Sequence, residues 1–204
     1  MGDLTPYELF DLIGTAAFAY SGYLAGRRHG LDVIGVFIVA MLTATAGGAV
    51  SDLLLGNTPG VLTNRNAFFL VLGVVAAGAV LSRFGVQALE DRWPFVLADT
   101  IGLVAFSFAG AHKAMDADLL YFGTAVIAFV TAVGGGIIRD SMTNDVPSVL
   151  HSGLYGFIAL FAGSAIWATD VMGWGLTENH WVIFAFCVGL RLLAFHRGWS
   201  LPKL

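Results

Sequence analysis

Two aspartates, Asp52 and Asp140, each follow a glycine cluster by four residues inside otherwise apolar sequence. The first lies in TATAGGAVSDLLLGNTP (residues 43–59). The second lies in TAVGGGIIRDSMTNDVP (residues 131–147), where Arg139 precedes the acid and Ser51 is its counterpart in the first copy. Ionised groups at membrane depth are costly, so they face a protein interior or an aqueous cavity and take a partner. Two carboxylates with one guanidinium leave a net negative charge, which favours small cations over anions. Thr43, Thr45, Thr131 and Ser51 add hydroxyls within one or two turns, able to back-bond to helix carbonyls or to coordinate a dehydrating ion. The pattern thus points to a polar constriction formed by Ser51, Asp52, Arg139, Asp140, Thr43 and Thr131. The plainer reading is a structural Arg139–Asp bridge that pins two halves of the chain, and the two readings are compatible.

The glycines before each acid are the second candidate feature. Gly47 and Gly48, and Gly134, Gly135 and Gly136, fall well inside apolar runs. Each costs a helix about 1 kcal/mol against alanine. Clustered, they allow a kink or an unwound stretch that frees backbone groups in the membrane. Small residues also let helices approach closely. Two clusters at equivalent positions, each leading to an acid, favour kinked helices lining a pathway.

Those motifs belong to a longer repetition. At an offset of 88 residues, positions 11–62 and 99–150 share 17 identities in 52. The pairs include Asp11 with Asp99, Gly14 with Gly102, Phe18 with Phe106, and Pro59 with Pro147. Of the 204 residues 57% are hydrophobic and only 12% charged, about half the share usual in a soluble domain. Seven apolar stretches can be drawn, at about 10–27, 33–55, 67–83, 95–113, 120–142, 152–170 and 180–197. Turn-rich segments separate them. The expected fold is an all-α membrane protein of seven transmembrane helices in a single domain, 1–204. Repeat 1 takes 11–83, repeat 2 takes 99–171, and helix 7 takes 178–197. Three helices per repeat is an odd number, so the second copy enters the membrane from the opposite side and the repeats are inverted.

Lysine and arginine set the orientation. With the N-terminus outside, the outer side holds Arg65 and Lys113, while Arg27, Arg28, Arg83, Arg92, Arg197 and Lys203 fall inside. The positive-inside rule gives an outer N-terminus and a cytoplasmic C-terminus. The acidic start MGDLTPYELF lacks the basic region of a cleaved signal peptide. A net charge of −4 with no basic stripe argues against a nucleic-acid partner. Cys187 is the sole cysteine, and it reads as a small buried or lipid-facing side chain. The five histidines read as interfacial, and no cofactor motif or metal site is indicated. Asp11 and Asp99 read as first-turn acids that complement helix dipoles. Arg191 reads as snorkelling to the inner face beside Arg197 and Trp199.

The doubled signature of glycines, acid and proline on three plus three plus one helices resembles the bacterial TRIC-type (trimeric intracellular cation) channels. These are related to bacterial proteins described as glycine transporters. The resemblance spans about residues 8–197. It implies a homotrimer in a bacterial inner membrane, surrounded by lipid, with a pore for K⁺ in each subunit between kinked helices 2 and 5. It places the kinks at Gly47, Gly48, Gly134, Gly135 and Gly136, and the polar positions at Asp52, Arg139 and Asp140. The first copy departs from the motif, with Ala46 for a glycine and Ser51 for the arginine.

Three functions compete. A K⁺ channel, with no metal beyond the transient ion and no enzymatic step, accounts for the symmetric motifs. The alternative is a secondary transporter of a small amino acid such as glycine, with Arg139 as its carboxylate clamp. A minor third is an intramembrane aspartyl hydrolase with Asp52 and Asp140 as a dyad.

Overall fold

The computed structural model describes residues 6–83, 92–151, 154–174 and 177–199. Among them the chain forms α-helices and no strand. Seven are long: α1 (Pro6–Arg28), α2 (Val33–Leu54), α4 (Asn66–Arg83), α5 (Arg92–Asp116), α6 (Tyr121–Met142), α8 (Tyr155–Val171) and α9 (Thr177–His196). Two are single turns, α3 (Gly60–Thr63) and α7 (Ser148–His151). The long helices fall on the seven apolar stretches expected from the sequence. Five of them, α2, α4, α5, α6 and α9, are long and apolar enough to cross a membrane, and α8 is apolar over 17 residues. The protein is an all-helical membrane protein.

Local chemistry sets the helix ends. Asp32 caps α2, its carboxylate accepting from the Gly35 N–H at 2.7 Å. At the far ends of α2 and α6 the chain turns through a left-handed residue, Gly56 (φ 74°) and Asn144 (φ 59°). Glycine and asparagine tolerate that conformation, and it returns the following N–H to a carbonyl near the helix end. The N–H of Asn57 accordingly donates to the Asp52 carbonyl and that of Asp145 to the Asp140 carbonyl, both at 2.8 Å.

α1 and α5 are the central pair. α1 packs on α2, α4, α5 and α6, while α5 packs on α1, α2, α6, α8 and α9. The pairings α1–α2, α1–α4 and α2–α4 recur as α5–α6, α5–α8 and α6–α8. A helix buried among helices can carry Thr15, Ser21 and Tyr23, because protein rather than lipid surrounds them. α4 is exposed over much of its surface, where it presents Phe68, Phe69 and Leu72. α9 lies outside, against α5 and α8.

The glycines behave differently from the expectation of broken helices. α2 and α6 each run as one uninterrupted α-helix through their glycine clusters. A Cβ on Gly47 would overlap the Thr131 carbonyl oxygen, and one on Gly135 would overlap that of Thr43. Gly134 faces the Gly47 backbone. Close approach of two backbones, not unwinding, is what these three residues permit.

Candidate functional site

Reciprocal packing continues outward from that crossing. Phe106 fits against Gly14 on α1, and Phe18 fits against Gly102 on α5. The two rings meet edge to face with centroids 5.2 Å apart, and both are buried. Thr43 and Thr131 sit beside Gly22 and Gly110, with their hydroxyls donating to the carbonyls of Val39 (2.6 Å) and Ile127 (2.7 Å). Ser51 is fully buried and donates to the Gly48 carbonyl at 2.8 Å. These three hydroxyls are used by their own helices.

The charges form two clusters, one on each side of the phenylalanine pair. In the first, the Lys113 ammonium of α5 lies 2.7 Å from Asp52 Oδ1 at the end of α2. The other Asp52 oxygen accepts from the Gly60 N–H at 2.8 Å, which ties α2 to α3. Asp11 of α1 borders the same cavity. The cavity, about 140 Å³, is also lined by Tyr7, Thr15, Thr45, Gly48 and Asn64, and it reaches Phe106.

In the second cluster Arg139 is completely buried. One terminal nitrogen lies 2.5 Å from Asp99 Oδ1 and donates to Ser21 Oγ at 3.0 Å. Its Nε donates to Asp140 Oδ1 at 2.8 Å. Phe95 stacks on the guanidinium, 4.6 Å from ring centroid to Cζ. The other Asp140 oxygen accepts from the Ser148 N–H at 2.8 Å and ties α6 to α7, as Asp52 ties α2 to α3. Arg139 therefore joins α1, α5 and α6.

The single constriction expected from Asp52, Arg139 and Asp140 is corrected by this arrangement. Asp99 and Lys113 stand 14 residues apart on α5, about 21 Å along a helix at 1.5 Å per residue. Asp52 belongs to one end and Asp140 to the other, and the aspartyl dyad falls with the same observation. Asp11 and Asp99 are not first-turn acids either, because α1 and α5 begin five and seven residues earlier. Asp99 is an ion-pair partner and Asp11 a cavity wall. Their repetition at the 88-residue offset was the available signal; Lys113, at the end of an apolar run, gave a weaker one. Arg191 does not snorkel: it is 6% exposed and its guanidinium lies over the Tyr155 ring, 5.1 Å from the centroid. His180, near the start of α9, is 4% exposed, and its ring meets that of His112 near the end of α5. Among the described residues no group of three or more His, Cys, Asp or Glu is placed to hold a metal ion.

The family model for glycine transporters matches the chain in two segments, residues 8–83 and 96–170, whose starts are 88 residues apart. The chain belongs to that family. A UPF0126 membrane protein of Deinococcus radiodurans is 34% identical over 205 residues, covering 96% of this chain and 90% of that one. A prokaryotic TRIC channel crystallised in 0.5 M KCl superposes with a TM-score of 0.86 at 31% identity, covering 96% of this chain and 98% of that one. The TRIC orthologue from Rhodobacter sphaeroides superposes with a TM-score of 0.85 at 27% identity, over 96% and 100% of the two chains. The resemblance read from the doubled motif is thereby borne out, and the family includes the bacterial TRIC-type proteins.

Proposed function

We propose that the chain is a channel for monovalent cations, chiefly K⁺, with a conduction path inside each subunit. The observation that carries this reading is the sequence of environments along α1 and α5. A polar cavity with Asp11, Asp52 and Lys113 leads to a buried phenylalanine pair, and beyond it lie Asp99, Arg139 and Asp140. In each cluster two carboxylates face one cation, an excess of negative charge that attracts cations. An apolar constriction between polar ends gates by dewetting. The path runs beside the α2–α6 crossing, and the arrangement represents a closed state, with Phe18 and Phe106 as the plug and Lys113 occupying the outer carboxylates. The described TRIC neighbours support conduction and a homotrimer.

The membrane architecture belongs to the same proposal. Seven spans form two inverted three-helix repeats about a pseudo-two-fold axis, with the seventh appended. The support is the reciprocity of contacts at offset 88: Gly14 on Phe106 with Gly102 on Phe18, and Gly47 on Thr131 with Gly135 on Thr43. Positive residues place the N-terminus outside a bacterial inner membrane and the C-terminus in the cytoplasm. The protein acts as a pore and not as an enzyme.

One observation favours a second reading, transport of a small zwitterion such as glycine. The outer cavity offers an ammonium and two carboxylates within about 140 Å³. Proteoliposomes separate the two. A channel passes K⁺ down its gradient with no substrate present and at a rate unaffected by glycine. Saturable, competable glycine uptake without K⁺ leak would overturn the channel reading.

A further inference from the structure

The first repeat carries a feature that the second lacks. Where α1 and α4 end and α2 begins, a cavity of about 260 Å³ opens between the three helices. Its wall includes Leu31, Val33, Val36 and Val75, and its lining includes Arg27 and Arg83 from the last turns of α1 and α4. Tyr23 borders the same cavity, 2% exposed, and its hydroxyl has no hydrogen-bond partner. The Arg27 guanidinium lies 5.9 Å from the centre of that ring. Among the described residues the ion pairs engage Lys113, Arg139 and His29, and neither Arg27 nor Arg83. At offset 88 the counterparts of Tyr23, Arg27 and Arg83 are Ala111, Met115 and Val171. The second repeat thus has no arginines at the equivalent positions.

We propose that this groove binds an anionic phospholipid. The chemistry matches in two parts. Two guanidiniums at one end of the helices suit a phosphodiester, which they can grip through paired N–H donors. The valine-lined wall suits a section of one acyl chain, and α4, packed on α1 and α2 with much of its surface exposed, leaves that wall open to the bilayer. The unpartnered Tyr23 hydroxyl supplies a donor near the headgroup, where a buried hydroxyl otherwise goes unsatisfied. Basic pockets between transmembrane helices on the cytoplasmic side recognise anionic headgroups in this way. Binding here does not depend on the conduction path, so it can fail or succeed independently of the channel reading.

The test is thermal unfolding of the purified full chain in detergent, titrated with dioleoyl phosphatidylglycerol, dioleoyl phosphatidylcholine or inorganic phosphate. Phosphatidylglycerol is expected to raise the Tm of the wild type more than phosphatidylcholine, and inorganic phosphate to leave it unchanged. Arg27→Gln with Arg83→Gln should abolish the difference between the two lipids, and Tyr23→Phe should reduce it. Arg65→Gln, at the other end of α4, should keep it. Equal response to both lipids, or an undiminished preference in the double variant, overturns the proposal. A shift with inorganic phosphate equal to that with phosphatidylglycerol also overturns it, by reassigning the site to a free anion. So does a loss of oligomer in the double variant with its lipid preference intact, because the groove would then seat a second copy.

Discussion

A side chain on Gly47 has no room, because the Thr131 carbonyl of α6 already occupies the place its Cβ would take. Gly135 stands in the same relation to Thr43, 88 residues from the first pair. Gly47→Ala and Gly135→Ala should each force α2 and α6 apart and destabilise the protein by about 1–3 kcal/mol, the usual cost of overpacking. Gly48→Ala meets only the Lys113 ammonium at 3.9 Å and should leave the unfolding temperature near that of the wild type. Thermal unfolding in detergent compares the three. Equal tolerance at Gly47 and Gly48 would show that the close crossing is not needed.

The helices were legible because lipid contact demands long apolar runs, and turn residues such as Gly56 and Asn144 interrupt them. The reciprocal contacts between halves were also implicit in the 88-residue repeat. What the sequence could not show was which cation pairs with which acid. Lys113 reaches Asp52 across 61 residues, and Arg139 reaches Asp99 across 40. Those contacts depend on which faces α1 and α5 turn to the centre. The beginnings of the helices were equally decisive. α5 starts at Arg92, so Asp99 lies inside the bundle rather than at a helix end. Glycine clusters, finally, permit a kink and a tight crossing alike, and only the position of the opposite carbonyl separates the two.

Arg139 is the most heavily committed side chain in the bundle. Its removal leaves Asp99 and Asp140 buried without their shared partner, at 4% and 5% exposure. Arg139→Ala should therefore cost about 3–5 kcal/mol, as breaking one side of a buried ion pair does. Ser21→Ala removes one hydrogen bond to the guanidinium and should cost about 1 kcal/mol. Denaturation in detergent measures both. A loss in Arg139→Ala no larger than in Ser21→Ala would mean that the acids are satisfied without the arginine.

Lys113 and Asp52 should move conduction in opposite directions. The ammonium sits on the Asp52 carboxylate, 2.7 Å away, inside the proposed entrance. Lys113→Gln removes a positive charge and frees the acid, so K⁺ flux should rise several-fold. Asp52→Asn removes the attracting charge and should lower it. Single-channel recordings in planar bilayers, with matched protein content, test the pair. Flux that falls in both variants would place the pair in structural support rather than in the path.

Orientation can be read by labelling. Cys187 is fully buried, so the wild type should stay unlabelled by a membrane-impermeant maleimide. Asp118→Cys, in the turn after α5, should react in intact cells. Leu31→Cys, in the turn before α2 and 40% exposed, should react only after the membrane is opened. The reverse pattern would invert the topology drawn from the positive residues.

Phe18 and Phe106 act as one obstruction if the path passes between the two clusters, since each ring fills the space left by a glycine on the opposite helix. Phe106→Ala should raise K⁺ flux into proteoliposomes, and Phe18→Ala should do the same. Each truncation also empties core volume and should cost about 3–5 kcal/mol of stability, so flux is compared only in preparations shown to be folded. The decisive measurement is the double variant. Residues that form a single barrier are strongly non-additive, so removing the second ring should add little flux to what the first removal gained. Stability should fall further with each ring lost, because both are packed against their own glycines. Independent, multiplicative gains in flux would mean two separate gates, while unchanged flux in both single variants would move the path away from α1 and α5 altogether.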